Sequence, residues 1–155
     1  MPRIIPAVVP EKSGASYPAP HDIPCKDRVW RQLGDAVGLT QFGVNLVYLA
    51  PGVWSSQRHW HTEEDEFVYV LDGAVVLVDD DGEHELRPGD CAGFPAGDRN
   101  GHCFQNRSDD RVTLLAVGSR RDGDRGEYAD IDMQFLPNRD SGGGLVFAKK
   151  DGTGF

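Results

Sequence analysis

The stretch RHWHTEEDEF, residues 58–67, places two histidines one residue apart and follows them with four consecutive acidic residues. In an extended strand, residues two apart face the same side, so His59 and His61 would share a face with Gln57. If that face lines the interior of a barrel, Glu66 on the next strand converges on both histidines. Imidazole nitrogens and a carboxylate are ligands that divalent transition metals accept. The alternative is a solvent-exposed turn with incidental histidines.

A second histidine lies in GDCAGFPAGDRNGHCFQN, residues 89–106, where His102 enters a strand directly after a glycine-rich loop. An antiparallel barrel would bring this segment beside the first cluster. His102 would then be a ligand supplied from a remote part of the chain.

The sequence around these segments predicts an all-β sandwich or barrel, because from residue 42 apolar residues alternate with a period of two. At least seven short strands are expected, separated by Gly, Pro and Asp turns. We expect them in residues 42–50, 55–61, 66–73, 74–86 (a hairpin turning at residues 80–82), 91–106 (two strands) and 111–119.

The flanking segments are expected to be extended, within a single domain of residues 1–155. The N-terminal arm, residues 1–41, carries six prolines in its first 27 positions, which disfavours helix. An edge strand is expected at IIPAVV, residues 4–9, and a short helical turn or irregular structure at residues 28–41. The C-terminal tail, residues 120–155, is rich in Gly and Asp and is expected to form an extended wrap around the motif core, residues 42–119, or to be partly mobile.

Charge and cysteine content exclude several classes of protein. The formal net charge is −9 at pH 7, so neither nucleic acid nor an anionic membrane is an expected partner. Three cysteines without a CxxC motif indicate a reducing compartment rather than a disulfide framework. Neither a signal peptide nor a membrane span is apparent, and the default expectation is the cytoplasm.

The two histidine segments together resemble the paired motifs of the cupin superfamily. The first motif is matched by Gly52, His59, His61, Glu66 and Gly73, and the second by Gly89, Pro95, Gly97, His102 and Asn106. Two gaps are longer than usual: six residues from Gly52 to His59, and four from Gly97 to His102. Beyond the motifs, most of the chain resembles small bacterial cupins that are sometimes labelled sugar or sugar-phosphate isomerases.

This resemblance implies a jelly-roll barrel, often dimeric, that holds one divalent ion of Mn, Fe, Ni or Zn. The implied ligands are His59, His61, Glu66 and His102. Four protein ligands on an octahedral ion leave two positions for water or substrate.

Substrate contacts are harder to predict from the sequence than metal ligands. Gln57 would bind substrate or metal-bound water if it shares the inward face, and Arg99 would bind a carboxylate or phosphate from the barrel mouth. A phosphate group would need Arg99 or Arg58 at the pocket, so we expect a sugar or hydroxy acid rather than a sugar phosphate.

Several other residues are expected to be structural. Residues 63–65 are expected to form a solvated turn. Cys91 and Cys103 are expected in the core, and Trp60 is expected to face away from the ligands.

Three functions fit these residues. The first is a metal-dependent isomerase that acts on a sugar or sugar phosphate, in which the ion polarises a hydroxy-carbonyl group. The second is another metal-dependent enzyme on the same barrel, either an Fe(II) or Mn dioxygenase or a lyase or decarboxylase. The third is a non-catalytic protein that binds a small molecule.

Overall fold

The computed structural model describes residues 3–137 and 146–155 as thirteen short strands and three single 3₁₀ turns. The turns are Pro6–Val8, Ile23–Cys25 and Asp35–Val37. The strands are β1 (Glu11–Ser13), β2 (Val29–Gln32), β3 (Phe42–Leu49), β4 (His59–His61), β5 (Glu66–Asp72), β6 (Val75–Asp79), β7 (Gly82–Leu86), β8 (Cys91–Phe94), β9 (Cys103–Gln105), β10 (Val112–Ser119), β11 (Gly126–Tyr128), β12 (Gln134–Leu136) and β13 (Val146–Ala148). No helix within these residues is long and apolar enough to cross a bilayer.

The strands form three antiparallel sheets that together make a jelly-roll barrel. The largest sheet has the order β1-β2-β3-β10-β5-β8, the second β13-β12-β11-β4 and the third β7-β6-β9. This confirms the all-β cupin barrel that the alternating sequence and the two motifs predict. The hairpin β6–β7 turns at residues 80–81, as the Asp-Asp-Gly sequence indicates.

The interior of the barrel changes from polar to apolar along its strands. At one end, Gly43, Gly118 and Glu66 lie side by side on β3, β10 and β5. Further along, the register brings Val47, Leu114 and Val70 together. Strand alternation therefore directs Glu66 inward above an apolar floor. That floor consists of Leu49, Val53, Val68, Val70, Val75, Leu77, Phe104, Val112 and Leu114.

The N-terminal arm differs from the prediction in two places. Residues 4–9 do not form an edge strand, because Pro6 lacks the N–H that a strand ladder needs, and Pro6–Val8 forms a 3₁₀ turn. The edge strand is β1 instead. Within residues 28–41, β2 pairs with both β1 and β3, so this part of the arm belongs to the main sheet. The expected helical turn is limited to Asp35–Val37.

The C-terminal tail is also more ordered than expected in the residues that the structure describes. Strands β11, β12 and β13 form a sheet with β4, so the tail packs beside the first histidine pair. A second apolar cluster supports it, built on Tyr128, Met133 and Phe135. The GGG segment at 142–144 lies outside the described residues.

Burial confirms two of the structural predictions and overturns a third. Trp60 is buried and Cys103 is fully buried. Cys91 is exposed rather than part of the core, because it lies on β8, the edge strand of the six-stranded sheet.

Candidate metal centre

The barrel contains a cavity of about 630 Å³ that reaches both the predicted ligands and the N-terminal arm. This volume is in the usual range for small-molecule sites. Its lining includes His59, His61, Glu66 and His102, together with apolar residues of the barrel floor.

The structure brings three of the four predicted ligands together and places the fourth beside them. Ligand atoms of His59, His61 and Glu66 all lie within 4.8 Å of one another. The Nε2 atoms of His102, His61 and His59 lie 2.8, 3.4 and 3.6 Å from a single oxygen, Oε2 of Glu66. The four side chains thus converge from three separate segments of the chain.

Strand pairing explains this convergence. His59 and His102 pair across neighbouring segments through two backbone hydrogen bonds, in which each amide donates to the carbonyl of the other. Glu66 begins β5 between Gly118 of β10 and Phe94 of β8. The ring of Phe94 stacks on His102 with centroids 3.4 Å apart and fixes that imidazole.

Hydrogen bonds at Nδ1 orient two of the three imidazoles. Nδ1 of His59 donates to the carbonyl oxygen of Gln57 at 2.9 Å, and Nδ1 of His61 donates to Oδ2 of Asp124 at 2.6 Å. These acceptors require the proton on Nδ1, which leaves the Nε2 lone pair directed at the cluster centre. His102 is fixed by stacking instead, and its buried Nδ1 has no hydrogen-bond partner among the described residues.

The electrostatics of the cluster call for a positive charge at its centre. Burial acts to raise the pKa of Glu66, but hydrogen bonding to His102, His59 and His61 outweighs it and holds that pKa well below its ordinary value. Burial acts to lower the pKa of His61, but bonding to Asp124 and Glu66 raises it to about 10. Burial lowers the pKa of His102, so the raised pKa in this cluster belongs to His61, between the carboxylates of Glu66 and Asp124.

A divalent cation fits this donor set. Three imidazole nitrogens and one carboxylate oxygen, held on rigid strands, form a mixed nitrogen and oxygen site of the kind that Mn, Fe, Ni and Zn accept. Neutral Nε2 lone pairs that face a carboxylate repel it unless a cation lies between them. The residues present therefore suit one divalent ion on His59, His61 and Glu66. His102, whose Nε2 lies 2.8 Å from Oε2 of Glu66, is the expected fourth ligand.

Two acidic residues of the site were not predicted. His61, Glu64 and Asp124 have ligand atoms within 4.8 Å of one another, on the Nδ1 side of His61. Glu64 was expected in a solvated turn, but its side chain is largely buried and lines the cavity. Asp124 lies in the tail and reaches His61 because β11 pairs with β4. No local motif marks Asp124, so only knowledge of this pairing would have identified it.

The two predicted substrate residues lie away from the cavity. Strand β4 begins only at His59, so alternation does not extend to Gln57, whose side chain donates to the carbonyl oxygen of His21 at 2.8 Å. Arg99 lies over the ring of Trp60, which faces away from the ligands. Neither residue lines the cavity. A direct substrate contact by either one is therefore not supported by this geometry.

The arginines that line the cavity are not the two predicted from the sequence, Arg99 and Arg58. Arg58 is tied to Asp80, to Asp130 and to the carbonyl oxygen of Gly101. Arg28 and Arg120 line the cavity instead. Both come from segments that the sequence motifs do not cover, and only the pairing of β2 and β10 with β3 brings them to the barrel interior.

Comparison with known proteins agrees with the fold. The Cupin domain family model matches residues 45–118, which include all four predicted ligands. The chain is 48% identical to a protein from Silicibacter pomeroyi whose crystal structure is described as a sugar phosphate isomerase from a cupin superfamily. That similarity covers 99% of this chain and 96% of the other, with a TM-score of 0.93. The chain therefore belongs to the cupin superfamily.

More distant structures extend the comparison. A protein from Acidithiobacillus ferrooxidans, provisionally named a sugar phosphate isomerase, is 32% identical over 79% of this chain and 76% of the other, with a TM-score of 0.72. The polyketide cyclase RemF from Streptomyces resistomycificus is 24% identical over 77% of this chain and 79% of the other, with a TM-score of 0.63, and shares the fold. No curated protein matches the chain.

Proposed function

We propose that this cupin is a metal-dependent isomerase of a sugar or sugar phosphate, acting in the cytoplasm as a homodimer. The observation that carries the metal dependence is the convergence of three Nε2 atoms on Oε2 of Glu66. The choice of reaction is supported by the 48% identical protein that is described as a sugar phosphate isomerase.

The bound ion would supply Lewis-acid polarisation of a hydroxy-carbonyl group, which stabilises an enediolate. The protein's own contribution is to fix the ligands and to limit water. Asp124 holds the proton on Nδ1 of His61, and the rings of Phe94 and Phe135 pack on the imidazoles of His102 and His61. The apolar floor leaves the polar groups concentrated at one end of the cavity.

Turnover of a panel of aldoses and ketoses, with and without phosphate, tests the proposal. Protein loaded in turn with Mn, Fe, Ni or Zn is incubated in D₂O. ¹H NMR follows the loss of the C2 proton signal of each aldose or the C1 proton signal of each ketose, together with the appearance of product. We expect turnover by the wild type and a loss of about 100-fold or more in Glu66→Gln.

A matched substitution separates the site from general effects. Glu83 of β7 forms an exposed bidentate pair with Arg107 and does not line the cavity, so Glu83→Gln should keep full turnover. Equal rates in wild type and Glu66→Gln would contradict the proposal. Light scattering in solution checks the proposed dimer, and a monomer mass would contradict that part.

A further inference from the structure

The cavity contains a guanidinium group that the metal centre does not use. Arg28 immediately precedes β2 and lines the same cavity as the predicted ligands. It is partly buried, and its Cζ lies 4.7 Å from the centre of the Trp30 ring. Trp30 itself pairs with Val47 of β3, so both residues lie on the wall that the N-terminal arm adds to the barrel.

Arg28 lacks a counter-ion among the residues that the structure describes. The one hydrogen bond of its guanidinium to those residues runs from Nη1 to the carbonyl oxygen of Ser55, at 2.6 Å. Its Nε is buried without a partner, and no carboxylate of the described residues lies within ion-pair distance. A guanidinium that lines a cavity without a counter-ion keeps N–H donors available for an anionic ligand.

Arg120 provides the contrast within the same cavity. Its guanidinium contacts the carboxylate of Asp35 and donates to the carbonyl oxygen of Leu39 at 3.2 Å. Its charge is therefore already neutralised by the protein, whereas that of Arg28 is not.

The groups around Arg28 suit an anionic oxygen cluster. Ser16, Ser55 and Ser56 line the cavity with it and offer hydroxyl groups. A guanidinium with unused N–H donors binds carboxylates and phosphates through charge-assisted hydrogen bonds. The metal centre in the same cavity would hold the reacting oxygens of the same molecule.

We propose that Arg28 forms an anion-binding subsite that holds the phosphate or carboxylate group of the substrate. The role of this subsite in turnover rests on the proposed isomerase function, but anion binding at Arg28 does not. The sequence favoured a sugar or hydroxy acid over a sugar phosphate, because a phosphate group would need Arg99 or Arg58 at the pocket. Arg28 lines the cavity and supplies the missing cation, so a phosphate ester fits as well as a carboxylate.

Calorimetric titration of the full-length, metal-loaded protein with inorganic phosphate, and separately with acetate, tests the subsite. We expect Arg28→Gln to weaken binding of the preferred anion by about 10-fold or more, with part of the affinity kept in Arg28→Lys. Arg120→Gln, the matched control in the same cavity, should change it by less than about 2-fold. Tighter binding of phosphate than acetate assigns a phosphate ester, and the reverse order assigns a carboxylate.

Three results would overturn the subsite. The first is that neither anion binds measurably to wild type. The second is that a folded Arg28→Lys or Arg28→Gln variant binds the anion as tightly as wild type. The third is that the Arg28 and Arg120 variants lose the same anion affinity. Thermal melting verifies folding, and metal content is measured for each variant. If wild type binds phosphate through Arg28 but holds no metal, only the isomerase proposal is refuted. If the protein is a metal-dependent isomerase whose turnover and anion binding do not change in the Arg28 variants, only the subsite is refuted.

Discussion

Replacing Asp124 by Asn tests whether the tail residue positions His61 for metal binding. The carboxylate is 5% exposed and receives two hydrogen bonds, one from Nδ1 of His61 at 2.6 Å and one from the amide of Glu63 at 2.9 Å. An amide keeps the shape but offers an N–H donor toward Nδ1. His61 would then favour the tautomer with its proton on Nε2, which removes the lone pair that the cation needs.

The expected loss follows from the usual effect of removing such a partner. Substitution of the group behind a ligating imidazole typically costs 10- to 100-fold in metal affinity, or about 1.4 to 2.7 kcal/mol. Competitive titration of Zn²⁺ against a chelating indicator at pH 7 measures this ratio for wild type and Asp124→Asn.

The control for this titration is Asp130→Asn, which removes an exposed carboxylate that pairs with Arg58. Its metal affinity should equal that of wild type. An Asp124→Asn protein that melts normally and binds Zn²⁺ as tightly as wild type would refute the positioning role.

Three further predictions concern the scaffold around the site. Gly126→Ala would place a Cβ 1.9 Å from the carbonyl oxygen of Trp60, so we expect the free energy of unfolding in urea to fall by about 3 kcal/mol or more. The control Gly154→Ala should change it very little, because no heavy atom lies within 4 Å of the added Cβ. Ellman's reagent should modify Cys91 alone in the native protein and all three cysteines in denaturant; rapid native modification of a second thiol would contradict the described core. Burial raises the pKa of Tyr17 and of the Cys25 thiol to about 12 each, so between about pH 9 and pH 12 the folded state keeps protons that the unfolded chain releases. The free energy of unfolding should therefore be constant below about pH 9 and fall toward pH 12. Urea midpoints that stay flat over that range would contradict this.

The sequence predicts the barrel well, because the barrel depends on local signals. Period-two alternation marks the strands of the motif core, and the paired motifs mark His59, His61, Glu66 and His102. The motif glycine Gly73 has a structural reason of the same local kind. Its φ is +79°, and an added Cβ would lie 2.9 Å from the carbonyl oxygen of Arg111, so a side chain does not fit there.

The remaining parts of the site depend on long-range pairing, which a single sequence does not encode locally. Asp124 is 63 residues from His61 and reaches it only through the β4–β11 pair. Arg28 enters the cavity because β2 adds to the edge of β3. The error at Gln57 has a different origin, since alternation was extended beyond the residue at which β4 begins.

The central claim is that one divalent ion is held by His59, His61, Glu66 and His102. Elemental analysis of untagged protein, purified without chelators, tests it most directly for wild type, His61→Ala and the exposed control His84→Ala. We predict about one equivalent of Mn, Fe, Ni or Zn in wild type and His84→Ala and a loss of most of it in His61→Ala. Wild-type protein that holds no metal even after reconstitution, or metal that is unchanged in His61→Ala, would contradict the claim.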